Sequence, residues 1–477
     1  MTLPEHITSL SREALLALVA AQQRQLAEQE RQIAELTAHV DALQAEIERL
    51  TRGTKRQAAP FAKGTRVINP KRPGRKPGAG PFCYREMPLP DEITEPPVDV
   101  PVLLDACPAC GGRLEEVRVD FAYTTDSPAI PRPKVTQYRV SVCRCAVCGT
   151  QVRGQHPDVA PDQYGATAHR VGDRAMAAAH GLHYGIGLPV RKVPRVLEAL
   201  QGITLTQGAI TQDALRRARG AVGDVYESLR AAVPASPIVH TDDTGWRIGG
   251  APAYLMAFDT DAATVYQVRS QHRHEEVQEV IPADYEGVMV TDRGRSYDAE
   301  AFDEVKQQKC LAHILRAISD VLATKKGRAR DFGERLKTLL QDAMALWRAY
   351  HAGEVSDYEA HASHLWDAIT HHLRPRVLMD PDNQRLLNGI GGHHDRGNLL
   401  RFLEDPRIEP TNNRSERALR PAVIARKVSQ CSKNEAGAQA FAAFTSVVRT
   451  LAKQGVHSMV EGLYQLFRSA RVHAAPP

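Results

Sequence analysis

A multidomain α/β fold is predicted by three observations. The chain has 477 residues, and domains run to about 100–200 residues each, so several units are expected. Residues 236–292 break into short β-rich segments with helical spacing on either side, the pattern of a sheet covered by helices. Five of the eight cysteines fall between residues 107 and 148, which sets apart a small metal-binding module in a reducing compartment. No apolar run is long enough to span a bilayer, and the N-terminus lacks a signal-peptide core, so a cytoplasmic protein without membrane contact is expected.

The first element is a helix with 3.5-residue spacing. Ile33, Val40 and Ile47 take one heptad position and Leu36, Leu43 and Leu50 the other. β-Branched residues at a with Leu at d favour a parallel two-stranded coiled coil. Residues 1–52 are therefore expected to make a homodimer or higher oligomer, although Gln22 and Gln29 weaken the early seam and a helix packed on its own chain would carry the same stripe.

Next comes a linker, residues 53–100, too rich in Pro and Gly for a helix and too charged to bury. The net charge of +5 says little, but residues 51–80 hold nine Lys or Arg and no acid. Lys71, Arg72, Arg75 and Lys76 in KRPGRKPG have the composition of short hooks that lie in a narrow minor groove; a solvated linker would look alike.

Two knuckles follow within residues 101–152, Cys107 with Cys110 and Cys145 with Cys148. Four thiolates close a tetrahedral shell with no open position, so one structural zinc is expected, with Cys143 a substitute for Cys145. Residues 153–232 turn helical. Gly202 is placed to end one helix and Thr206 or Gln207 to open another, as in a helix-turn-helix, with Arg216 and Arg217 late in the second as DNA contacts.

After Pro234 the segments SPIVHTDDTGW, APAYLMAFDT, ATVYQVRS and GVMVTDRGRSYD read as three successive strands, a helix and a further strand. That succession suits a mixed sheet of the ribonuclease H type, whose first and fourth strands lie side by side. Asp242 or Asp243 would then face Asp292. Two carboxylates held together repel unless a cation sits between them. Magnesium, which prefers oxygen ligands and keeps open positions for water and phosphate, fits such a pair. A third carboxylate would hold a second ion. Glu416 in IEPTNNRSERALRP is the candidate, on a helix opened by Thr411, Asn412 or Asn413. The competing reading is a capping box, in which Asn413 and Glu416 satisfy backbone donors. Arg414, Arg417 and Arg420 would give that helix a cationic face suited to phosphate.

HTDDTG, VMVTDRGRSYD, KCLAHILRAI and LRFLEDPRIEPTNNRSERALRP resemble, in order, the signatures of the insertion sequence 66 family of bacterial DDE transposases. The likeness extends upstream through the helix pair, both knuckles, KRPGRKPG and the coiled coil. It implies a ribonuclease H-like core with Asp242, Asp292 and Glu416 holding two magnesium or manganese ions for DNA cleavage and joining. The residue after the first aspartate is more usually Glu in that family; here it is Asp243, and the choice between Asp242 and Asp243 stays open. Cys310 and His313 match the family's Cys-x-x-His pair, and Asn413 and Arg417 its Asn-Asn-x-x-Glu-Arg signature, as accessory residues. The resemblance divides the remainder into a first part of the core (233–325), a helical insertion (326–400) that contacts or positions DNA, and a second part (401–477). Trp347 and Trp366 are expected in the core of that insertion rather than against bases. Double-stranded DNA, both element ends and target, is the implied partner, with small accessory proteins of the same element. A nuclease that does not join, or a DNA-binding regulator derived from such an enzyme, are the rival readings.

Overall fold

The computed structural model describes residues 11–36 and 87–474, apart from 15, 18–19, 34, 95, 100–103, 105, 116, 125–131 and 161. They belong to two compact units, Met1–Pro101 and Val102–Pro477. In the first, residues 20–33 are helical, and Leu26, Ile33 and Leu36 of the apolar stripe are exposed. Val40, Leu43, Ile47 and Leu50 lie outside the described residues, as do Lys71, Arg72, Arg75 and Lys76.

The second unit opens with an antiparallel pair, β1 (Val142–Arg144) and β2 (Gln151–Arg153), joined through the second knuckle. The two knuckles share one backbone. Cys107 N–H donates to Gly112 O and Gly111 N–H to Cys107 O; Cys145 N–H donates to Thr150 O and Gly149 N–H to Cys145 O. Gly111 and Gly149 both sit at φ 72, a left-handed turn that glycine adopts without steric cost.

Four helices follow: α1 (Asp173–His180), α2 (Val193–Gln201), α3 (Gln207–Ala218) and α4 (Ala221–Ala232). α1 continues into a π-helical turn, Gly181–Gly185. Gly202 closes α2 and Thr206 caps α3, its hydroxyl accepting the Ala209 N–H at 3.1 Å.

The centre is a five-stranded mixed sheet in the order β5-β4-β3-β6-β7. Its strands are β3 (Ile238–Ile248), β4 (Ala251–Asp259), β5 (Thr264–Arg269), β6 (Val288–Thr291) and β7 (Lys306–Lys309), with the short α5 (His274–Gln278) after β5. β3, β4 and β5 run antiparallel, and β6 and β7 run parallel to β3. First and fourth strands are neighbours, consistent with a ribonuclease H-like core.

Both faces are covered, which explains the near-continuous apolar character of β4 and β5. On one face Val239, Met256, Phe258 and Val265 pack with Met289, Tyr297 and Phe302. On the other, Trp246, Leu255 and Tyr266 meet α11 (Asn413–Ser429) and α12 (Glu435–Lys453) through Leu419, Ala422 and Phe441. The last helix, α13 (Met459–Ala474), packs on α1.

Between β7 and α11 the chain runs through α6 (Leu311–Ala323), α7 (Asp331–His351), α8 (Tyr358–Leu373), α9 (Pro381–Asp395) and α10 (Arg401–Glu404). Ile314, Leu336, Leu340, Ile369 and Ile390 form their shared core. Trp347 and Trp366 pack against it, and the Trp347 indole N–H donates to Pro406 O at 2.8 Å. Among the described residues no helix is long and apolar enough to cross a membrane.

Candidate active site

Strand register assembles the first two carboxylates. β3 and β6 pair in parallel with His240 opposite Val290, and two residues further along Asp242 comes level with Asp292. Alternation along β3 then separates the two adjacent aspartates. Asp242 shares a face with its β4 neighbour Ala257 and with Trp246, the face covered by α11. Asp243 points to the opposite face, where its carboxylate meets His272 Nδ1 at 3.2 Å. Beside it the Thr241 and Tyr297 hydroxyls are 3.3 Å apart.

Helix α11 brings Glu416 to the Asp242 side, and buried ties fix its approach. Asn412 is fully buried, its Nδ2 donates to Thr241 O at 2.7 Å, and its backbone N–H donates to Cys310 Sγ at 3.1 Å. Leu311 N–H donates to Pro410 O at 2.9 Å, so the start of α6 and the entry to α11 are stitched together. The capping-box reading of Asn413 and Glu416 does not hold. The N-cap is Asn412, no side chain caps the helix, and Asn413 is already its first residue. Freed from capping, the Glu416 carboxylate lies half-exposed, with His313 Nε2 3.8 Å from its Oε1.

The electrostatics follow from this crowding. Burial first, then the negative charges of Asp292, Asp243 and Glu416, push the Asp242 carboxyl up to about 7; the Asp243 N–H, which donates to Asp242 Oδ1 at 2.8 Å, works against that rise. Burial likewise raises Asp243, with His272 opposing it. Asp292 Oδ1 accepts the Gly294 N–H at 2.7 Å. Among the described residues no three carboxylate, imidazole or thiol groups close on one point as a ready metal cage. Asp292 and Glu416 are near enough to raise Asp242, but the three carboxylates stand open, a donor set suited to an oxygen-loving cation that keeps positions for other ligands.

Other sequence-predicted residues divide sharply. Cys310 is buried and its Sγ accepts the Asn412 N–H. The four-thiolate centre expected of Cys107, Cys110, Cys145 and Cys148 is not assembled: each knuckle pairs its own thiols, with Cys148 lowered to about 7 chiefly by Thr150, but the two pairs are not gathered together. Arg217 is no DNA contact. Its guanidinium is buried over the Phe467 ring at 3.6 Å and donates to Asp213 at 2.7 Å and Asp173 at 2.6 Å. Arg216 remains exposed, paired with Asp213. Arg414 is also committed, to Asp259 at 2.7 Å and Asp261 at 2.6 Å. Arg417 and Arg420 are exposed on α11 with no acidic partner among the described residues. Sequence reasoning missed His272, and it offered Asn412 only as a possible helix opener, not as the tie to Thr241. Neither stands in a metal-ligand spacing, and only the Asn-Asn doublet before Glu416 was a signal.

The family described as Transposase IS66 family matches residues 169–440, more than half of the chain. The chain belongs to the IS66 transposase family. That stretch of the IS66 family runs here from α1 to α12 and so takes in the sheet, the three carboxylates and the helices between them. No curated protein matches the chain.

Proposed function

We propose that this IS66-family chain cuts DNA at the ends of the element that encodes it and joins the freed ends to target DNA. What supports the reading is the nearness of Asp292 and Glu416 to Asp242, whose carboxyl burial and these acidic neighbours raise to about 7. Such a cluster lacks positive charge. Asp242 and Asp292 from the sheet and Glu416 from α11 would hold two magnesium or manganese ions. Bound there, the ions supply the charge that activates water and stabilises the attacking and leaving oxygens of an in-line displacement.

Water attacks a phosphodiester at the element end; the new P–O bond forms as the bond to the 3′-oxygen breaks, and a proton passes to that oxygen. The resulting 3′-hydroxyl attacks a target phosphodiester in the same way. Asn412 holds the entry to Glu416 against the sheet, and His272 keeps Asp243 turned away from the cluster. His313 lies beside Glu416, where a DNA phosphate would pass. Arg420, Arg417, Arg216 and the basic Lys71, Arg72, Arg75 and Lys76 would contact the DNA backbone. Cys107, Cys110, Cys145 and Cys148 would close on one zinc when it is supplied. The heptad helix would join copies of the chain so that one assembly holds two ends, with small accessory proteins of the element alongside.

The test is cleavage and joining of labelled DNA carrying the gene's own flanks, in magnesium, by wild type, Asp242→Asn, Asp243→Asn and Glu416→Gln. Joined product from wild type and Asp243→Asn alone is the expected result. A wild type that binds the ends and cuts nothing, even with manganese, would replace this reading with that of a DNA-binding regulator.

A further inference from the structure

One turn along α11 from Glu416 lies a cavity that the cleavage reading does not use. Its volume is about 180 Å³, and it opens between the π-helical turn after α1 and helices α11 and α12. π-Turns inside helices occur disproportionately at functional sites, because the widened backbone makes room beside it. Tyr184 on that turn and Phe441 on α12 give the cavity aromatic walls, and Ile424, 49% exposed, stands at its mouth.

The lining is apolar but holds two unmet polar atoms. Thr445 is 1% exposed, and its hydroxyl has no hydrogen-bond partner. The Arg449 Nε is likewise buried without a partner, although its Nη2 donates to Gly185 O at 3.3 Å. A buried polar group left unpaired costs free energy, so these atoms call for a ligand with a polar edge. Arg417 and Arg420 also line the cavity, and neither has an acidic partner among the described residues. No Asp or Glu lines it.

These features fit one kind of occupant. It is flat and apolar on its faces, polar at its rim and attached to negative charge. An apolar cavity of roughly 150 Å³ admits benzene, so this one has room for a six-membered ring. Arg420 is four residues beyond Glu416, about 6 Å along the helix axis at 1.5 Å per residue. A ring bound here would therefore hang from a strand whose neighbouring phosphate is at the carboxylates.

We propose that this cavity takes a single extrahelical nucleobase of the DNA being cut. The base stacks on the aromatic wall, its edge pairs with Thr445 and Arg449, and Arg417 and Arg420 hold the flanking phosphates. The assignment rests on the DNA-cutting reading and adds a requirement to it, that one nucleotide leaves the duplex before or during cleavage.

Affinities of the full chain for a short labelled duplex, fully paired or with a single-nucleotide bulge, would be compared in chelator, so that metal loading plays no part. Extracting a base from a paired duplex costs free energy that a bulge has already met, so wild type should prefer the bulge on the order of tenfold. Ile424→Trp, which fills the mouth from an exposed position, and Thr445→Val, which removes the hydroxyl at constant shape, should bring the ratio to about one while leaving fully paired binding within about twofold. 5-Iodouracil placed at the bulge should photo-crosslink to Tyr184 or Phe441. A wild-type ratio near one with the paired duplex still bound overturns the proposal and leaves the cutting reading intact. A ratio unmoved by Ile424→Trp, with self-association altered instead, overturns it in favour of a protein contact. Failure of wild type to bind either duplex removes both readings together.

Discussion

Replacing Asp242 by Asn should make the metal-free protein more stable at pH 8. The Asp242 carboxyl is raised from 3.8 to about 7 in the folded chain, so below pH 4 it is protonated in both folded and unfolded states and has no effect. Between pH 4 and 7 the folded state holds a proton that the unfolded state has released, and stability falls as pH rises; above 7 the loss is complete. Three pH units at about 1.4 kcal/mol each set a ceiling near 4 kcal/mol. Asp242 is only partly buried, and solvent screening brings the expected effect to roughly 2 kcal/mol, or some 4–8 °C in Tm for a large domain. Asn keeps the shape and the acceptor for the Asp243 N–H without the charge. Thermal unfolding in chelator at pH 4 and pH 8 measures the difference; added magnesium should then raise wild type more than the variant. A variant less stable than wild type at pH 8, or raised equally by magnesium, would refute the idea that crowded carboxylates await a cation.

Three further outcomes test the readings above. Arg217→Ala removes the buried guanidinium that bridges Asp213 and Asp173 and should cost about 3–5 kcal/mol in denaturant unfolding, whereas Arg216→Ala should leave stability nearly unchanged and lower the salt dependence of DNA binding by about one unit of slope. Asn412→Ala removes the donor to Thr241 O and should cost roughly 1–3 kcal/mol; strand cleavage should fall further than DNA affinity, because Glu416 loses its anchor. Protein prepared with zinc should hold one ion per chain by metal analysis, retained in Cys310→Ala and lost in Cys107→Ser or Cys148→Ser.

Much of the sheet was legible because its signals are local. Short β-rich runs and their order place β3 beside β6, and the two-residue period alone separates Asp242 from Asp243. Glu416 was ambiguous because a capping box and a carboxylate left free for other ligands share the same spacing. What separates them is Asn412, whose side chain reaches Thr241 171 residues away rather than its own helix. Arg217 misled for the same reason. In an Arg-rich run it reads as a solvated or DNA-facing residue, yet one of its partners, Asp173, lies 44 residues upstream on another helix. Cys310 shows in the sequence only as part of a Cys-x-x-His pair, yet the group it accepts from is a backbone N–H 102 residues away. The cavity beside α11 left no trace in the sequence, since its walls come from three separate stretches and its unpaired atoms are ordinary Thr and Arg side chains.

The same helices that deliver Glu416 also cover Trp246, Leu255 and Tyr266 on the sheet. A ribosome releases the strands long before α11 and α12, so through most of synthesis that apolar face is bare and the third carboxylate is missing. Contacts of such long sequence separation form late and slowly. Core and candidate carboxylate site are thus completed together, late in synthesis. A chain broken off before α11 would lack the cover of that apolar face and the third carboxylate together.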